Sequence, residues 1–154
     1  MEYFMRTWGK YTFEWAAQIR PEIDDIGAVQ AFLPHAAYAN AQNLELHPYG
    51  QGPFCKFRIP NSLDNAGVYL LLVNDAPAYI GECANLATRF NHGYGAIAPR
   101  DCYTGGRPNY CRINHLIYTA LKARQPAEVW FRKTANRPAI AAELIKVLRT
   151  PWNQ

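Results

Sequence analysis

Apolar residues run without a break from Gly67 to Val73, give way to Asn74-Asp75-Ala76-Pro77, and resume in a shorter run from Ala78 to Gly81. Two apolar runs separated by turn formers predict a pair of adjacent antiparallel strands. Farther along, Val129 and Phe131 alternate with Trp130 and Arg132 across residues 128–133, which predicts a third strand. The period then changes. Ile113, Leu116, Ile117, Ala120 and Leu121 recur at helical spacing within residues 111–123. Ile140, Leu144, Val147 and Leu148 do the same in a segment opened by Asn136 and Pro138 and stopped by Pro151. Each predicts a helix with one buried stripe. A shorter helix is predicted at residues 85–91, ending before Gly93.

The first 65 residues carry a weaker pattern. Tyr3, Phe4, Trp8, Tyr11, Phe13 and Trp15 are interleaved with polar residues, suggesting one strand or irregular packing, and Pro21, Gly27 and Pro34 break the next stretch of chain into short pieces. A short helix at residues 26–33 capped by Asp25 and a strand at residues 54–59 are expected there. The fold expected is α+β: a small central antiparallel sheet of about three strands flanked by helices. It would occupy residues 66–154, with residues 1–65 as an extension of unassigned role packed on it. A chain of 154 residues suits one compact domain of this kind.

Composition narrows the class. An apolar fraction of 49% with 14% aromatic residues excludes disorder, and the apolar stretch from Val68 to Val73 is far too short to span a bilayer. No charged start followed by an apolar signal core stands in residues 1–10, so a soluble cytoplasmic protein without a membrane partner is expected. Cys55, Cys83, Cys102 and Cys111 contain no Cys-x-x-Cys pair, and reduced thiols are the default reading; Cys83 is assigned to packing. The net charge of +4 is unevenly spread. Residues 1–65 hold five Lys and Arg against seven Asp and Glu, whereas residues 66–154 hold eleven against five. A basic surface of this kind would attract a phosphate backbone by releasing its counterions, and arginines that merely solvate the surface are the alternative.

Candidate chemistry lies in the basic part. Tyr69 closes the tripeptide Gly67-Val68-Tyr69, Tyr79 opens Tyr79-Ile80-Gly81 ten residues later, and Arg89 follows after ten more. Glu143, three after Ile140 and four before Val147, lies at the edge of the last helix's apolar stripe, and a carboxylate there needs a cation or an arginine such as Arg89 as its partner. Asn153 stands just beyond that helix.

In this order of motifs the chain resembles the GIY-YIG nuclease superfamily over residues 66–154. The resemblance implies a metal-dependent endonuclease that hydrolyses phosphodiester bonds of DNA with Mg²⁺ or Mn²⁺, Glu143 being the single protein ligand of the ion. It further implies that Arg89 binds the scissile phosphate, that Tyr69 and Tyr79 position or deprotonate the attacking water, and that Asn153 braces the motif strands or a phosphate oxygen. A phenol titrates near ~10, so a basic role would require a neighbouring cation. The family often places a histidine or tyrosine one turn after its arginine. Here that position is Gly93, and His92 beside it is the candidate proton-transfer group, with a solvated surface histidine as the alternative.

The segment 93–108, rich in glycine, reads as a surface loop from which Arg100, Tyr103 and Arg107, joined by Arg112 on the next helix, would contact nucleic acid, with an ordinary solvated loop as the equal alternative. The compact layout resembles the small restriction-type members, implying a role in restriction or phage defence and a homodimer on a symmetric site. Two other readings remain open: an inactive nucleic-acid-binding module, and a structure-selective nuclease acting on single strands or RNA.

Overall fold

The computed structural model describes residues 4–38 and 43–154, so Tyr3 lies outside the described residues. The fold is α+β, built around one antiparallel sheet of five strands. Its strands are β1 (Met5–Trp8), β2 (Tyr11–Gln18), β3 (Gly67–Val73), β4 (Ala76–Cys83) and β5 (Ala127–Lys133), in the order β1-β2-β5-β3-β4. The expectation of about three strands fell short because β1 and β2 come from the aromatic N-terminal segment. There Tyr11 and Phe13 do alternate, but a register shift between Trp15 and Ala17 interrupts the period. The helices are α1 (Leu86–Arg89), α2 (Pro108–Lys122) and α3 (Arg137–Leu148).

The chain divides into two compact units, and the division does not fall at residue 65. The first holds residues 1–19, 59–89 and 125–154; the second holds residues 20–58 and 90–124. The N-terminal strands therefore belong to the sheet and are not an extension laid on it.

In the first unit, α3 covers one sheet face. Val68, Leu70, Leu72, Ile80 and Trp130 from the sheet pack with Trp8 and Phe13 against Ile140, Ala141 and Leu144. These positions alternate along each strand, as the pleat requires. Val147 is not part of the stripe: it is 59% exposed, and Ile145 and Leu148 pack at the core's edge instead. The turn between β3 and β4 places Asn74 and Asp75 at positive φ, the left-handed conformation that Asn and Asp tolerate and that matches the twist of a tight hairpin.

In the second unit, the expected helix at residues 26–33 and strand at residues 54–59 are replaced by isolated bridges, Ile23 with Val29 and Phe32 with Phe54. Asp24 rather than Asp25 organises the turn, its Oδ1 accepting the N–H groups of Ile26 and Ala28 at 3.0 and 2.9 Å. That local bond competes with a helix for the same donors. Segment 93–108 is more structured than the expected open loop. It begins in a π turn (Phe90–Tyr94), contains a 3₁₀ helix (Pro99–Cys102), and buries Ile97, Asp101, Cys102 and Tyr103. Fully buried Asn114 ties α2 to two other segments: its Oδ1 accepts the Cys55 N–H at 2.9 Å, and its Nδ2 donates to the carbonyls of Cys55 and Tyr94. Burial holds the Cys55 thiol up at about 12.

Candidate active site

Across the sheet, Glu14, Phe131, Tyr69 and Gly81 stand in one register row on β2, β5, β3 and β4. Because side chains alternate, this row and its neighbours two residues away share the face opposite α3. Tyr79 lies on that face and its ring centroid is 6.3 Å from that of Tyr69. The rings fit because of two glycines. A Cβ at Gly81 would meet Cζ and Oη of Tyr69 at 2.3 Å, and one at Gly67 would meet Cζ of Phe131 at 2.6 Å. Each motif glycine thus leaves room for an aromatic ring from the neighbouring strand.

Cys83, two residues beyond Gly81, faces the same way and its Sγ–H points at the carbonyl of Gly67, 3.8 Å away. Burial raises the pKa of this thiol, and the charge of Arg89, followed by that of Arg137, acts in the opposite direction, so Arg89 lies near Cys83. The helix that carries Arg89 is anchored at its start: Leu86 and Ala87 donate to the carbonyls of Asn65 and Leu63, and Asn85 Oδ1 caps the Thr88 N–H at 3.0 Å. Tyr69 is fully buried and Tyr79 nearly so.

Asn153 clasps the strand between the two motif residues. Its Oδ1 accepts the Ile80 N–H at 2.8 Å and its Nδ2 donates to the Ile80 carbonyl at 2.9 Å, while the Thr150 hydroxyl donates to the same Oδ1.

Glu143 is not brought to this group. It projects from α3 on the opposite sheet face, toward β2, where Oε1 accepts the Tyr11 hydroxyl at 2.8 Å and Oε2 is 3.4 Å from Lys10 Nζ. Its side chain is 40% exposed rather than turned into the interior. The Tyr11 phenol is pushed above its ordinary value, first by its hydrogen bond to Glu143 and then by desolvation. Arg132 lies over the Tyr11 ring at 5.3 Å and donates to the Thr12 carbonyl at 3.1 Å. Tyr11, Lys10 and Arg132 are the partners sequence reasoning missed. The strand period of Tyr11 was visible, but its position opposite a helix more than a hundred residues away was not.

The remaining expected contact residues belong to the second unit. His92 is exposed, and its carbonyl accepts Arg107 Nη1 at 3.2 Å. Arg107 forks onto buried Asp101 at 2.6 and 2.9 Å and stacks over Tyr110 at 4.5 Å, so it is committed to internal bonds that hold its guanidinium charged. Tyr103 is buried with its hydroxyl on the His35 carbonyl at 2.9 Å, so its ring is not offered to an unpaired base. Arg100 is exposed and donates to the Thr104 carbonyl at 3.0 Å, and Arg112 donates to Asn109 at 3.1 Å.

No family model matches this chain, and no curated protein matches it. Among solved structures, a mutant of bacteriophage T4 EndoII is similar at 25% identity with a TM-score of 0.47, over 72% of this chain and 87% of that one.

Among the described residues no group of three or more His, Cys, Asp or Glu is placed to hold a metal ion, and no helix is long and apolar enough to cross a membrane. A site with one protein carboxylate would not form such a group. Glu143, the expected ligand, does not fit an ion serving the tyrosines: it lies across the sheet and both its oxygens already face a donor.

Proposed function

We propose that this chain is an endonuclease that hydrolyses phosphodiester bonds of DNA at a centre made by Tyr79, Tyr69 and Arg89. The observation that supports the reading best is the shared sheet face: two tyrosine rings with centroids 6.3 Å apart, Tyr69 seated over Gly81, the charge of Arg89 felt at neighbouring Cys83, and an asparagine holding the backbone of Ile80 beside Tyr79. Arg89 would grip the scissile phosphate and gain strength as charge builds on it in the transition state. Tyr79 would orient the attacking water, and Tyr69 would position Tyr79. A divalent ion would supply Lewis-acid chemistry in an enzyme of this kind, and Glu143, across the sheet from the tyrosines and paired with Tyr11 and Lys10, does not fit such an ion.

The position of Glu143 favours a second reading, a module that binds nucleic acid without cutting it. One experiment separates the two. Purified protein is incubated with duplex DNA, single-stranded DNA and RNA in Mg²⁺, Mn²⁺ or EDTA, and the product ends are mapped. Cleavage of DNA that is lost in Arg89→Ala supports the first reading; binding without cleavage in any metal supports the second. Discrete plasmid fragments whose ends share one short palindrome would extend the first reading to a restriction or defence enzyme acting as a homodimer. Preference for single strands or RNA would reject that role while keeping the hydrolase.

A further inference from the structure

Beside the tyrosines, on the same sheet face, lies a cavity of about 330 Å³ whose walls include Met5, Thr12, Glu14, Asn65, Phe131 and Lys133. We infer that this cavity receives one unpaired nucleobase of the bound strand, and that Glu14 selects guanine. The inference rests on the reading of the chain as a protein that handles nucleic acid.

The volume suits a single base with part of its sugar, near the lower end of ordinary ligand pockets at ~300 Å³. Phe131 supplies the stacking surface. It is half-buried, directly opposite Tyr69 in the sheet, and its ring lies over Gly67, so its position is fixed from below. Stacking on an aromatic ring is the sequence-tolerant part of single-strand recognition.

Glu14 supplies the discrimination. It stands in the same register row as Phe131, is exposed, and makes no hydrogen bond or ion pair among the described residues. A carboxylate repels phosphate and can only accept hydrogen bonds. In a pocket for nucleic acid it therefore faces a base edge rich in donors. Guanine alone presents two adjacent donors on its Watson–Crick edge, N1–H and the N2 amino group, which match the two carboxylate oxygens. Lys133, exposed at the rim and without an ion-pair partner among the described residues, is placed for the flanking phosphate.

The test measures binding in EDTA, so that cleavage does not enter. Fluorescence anisotropy compares a labelled thymidine dodecamer with the same strand carrying one central guanosine or one central inosine, which lacks the N2 amino group. The guanosine strand is expected to bind about tenfold tighter than the all-thymidine strand, with inosine in between. Glu14→Gln should erase the difference without weakening thymidine binding, since the charge it removes repels phosphate. Phe131→Leu keeps apolar volume but removes the ring, and should weaken every strand by about tenfold with an unchanged far-ultraviolet circular dichroism spectrum. Equal affinity for the three strands, a preference that survives Glu14→Gln, or no binding of any strand overturns the inference. DNA cleavage in Mg²⁺ without guanine preference would reject this pocket and retain the nuclease; guanine preference without cleavage would do the reverse.

Discussion

The two faces of the sheet solve different problems with the same strands. On the α3 face, Val68, Leu70, Ile80 and Trp130 meet a helix, and the polar residue at the helix's edge, Glu143, is paired with Tyr11 and Lys10. On the other face, Tyr69 and Tyr79 share space cleared by glycine, and Glu14 and Lys133 are left without ion pairs among the described residues. A face built for stability buries apolar side chains against a helix, whereas a face that keeps exposed donors and acceptors is the one suited to a ligand. Glu143 accordingly reads as a tie between α3 and the β1–β2 hairpin, while the centre proposed above lies on the opposite side.

The sharpest way to break that division is to exchange effects between the faces. Arg89→Ala is expected to lower DNA cleavage by about a thousandfold with little change in melting temperature, whereas Leu144→Ala on the α3 face should cost about 2–5 kcal/mol of stability. Activity assays alongside denaturant titrations check both, and an Arg89 variant that chiefly unfolds would erase the distinction. Gly81→Ala should do some of each. Its methyl group would collide with the Tyr69 ring, costing about 1–3 kcal/mol and displacing the phenol from Tyr79. Tyrosine fluorescence and cleavage should change together.

Glu143→Gln tests the reassignment directly. Cleavage should stay within about threefold of the parent and the melting temperature should barely move, since the lost pair is partly exposed. Abolished cleavage in a folded variant would return Glu143 to the reacting centre. The smallest effect is in titration. Tyr11 should ionise above the ordinary tyrosine range, and Glu143→Gln should bring it back down, as read by ultraviolet absorbance. Because the folded-state value is raised, the stabilisation from this bond is fully present below the ordinary tyrosine pKa and is lost as pH rises through the raised one.

Much of the sheet was legible in the chain, and physical reasons separate the legible parts from the rest. The β3–β4 hairpin announced itself because both strands are apolar and the turn residues tolerate left-handed backbone. The pair Tyr69 and Tyr79 came from that hairpin alone. The partners of Glu143, Tyr11 and Lys10, were not legible because a helical stripe has two edges and the sequence does not say which neighbour each edge meets. Val147 suggested a stripe centred farther round the helix, yet it is exposed. Residues 20–58 gave least, since bridges and side-chain-capped turns replace periodic elements there. Tyr103 and Arg107 looked like surface groups from their loop composition, while their true partners, His35 and Asp101, are matters of tertiary placement.

The clasp of Asn153 on Ile80 also bears on how copies of this molecule meet. β4 is the last strand of the sheet, and the amide and carbonyl that Asn153 takes are bonds an incoming strand would otherwise claim. An edge occupied in this way offers no template at its centre for strand addition, so the sheet is guarded against growth through its β4 side.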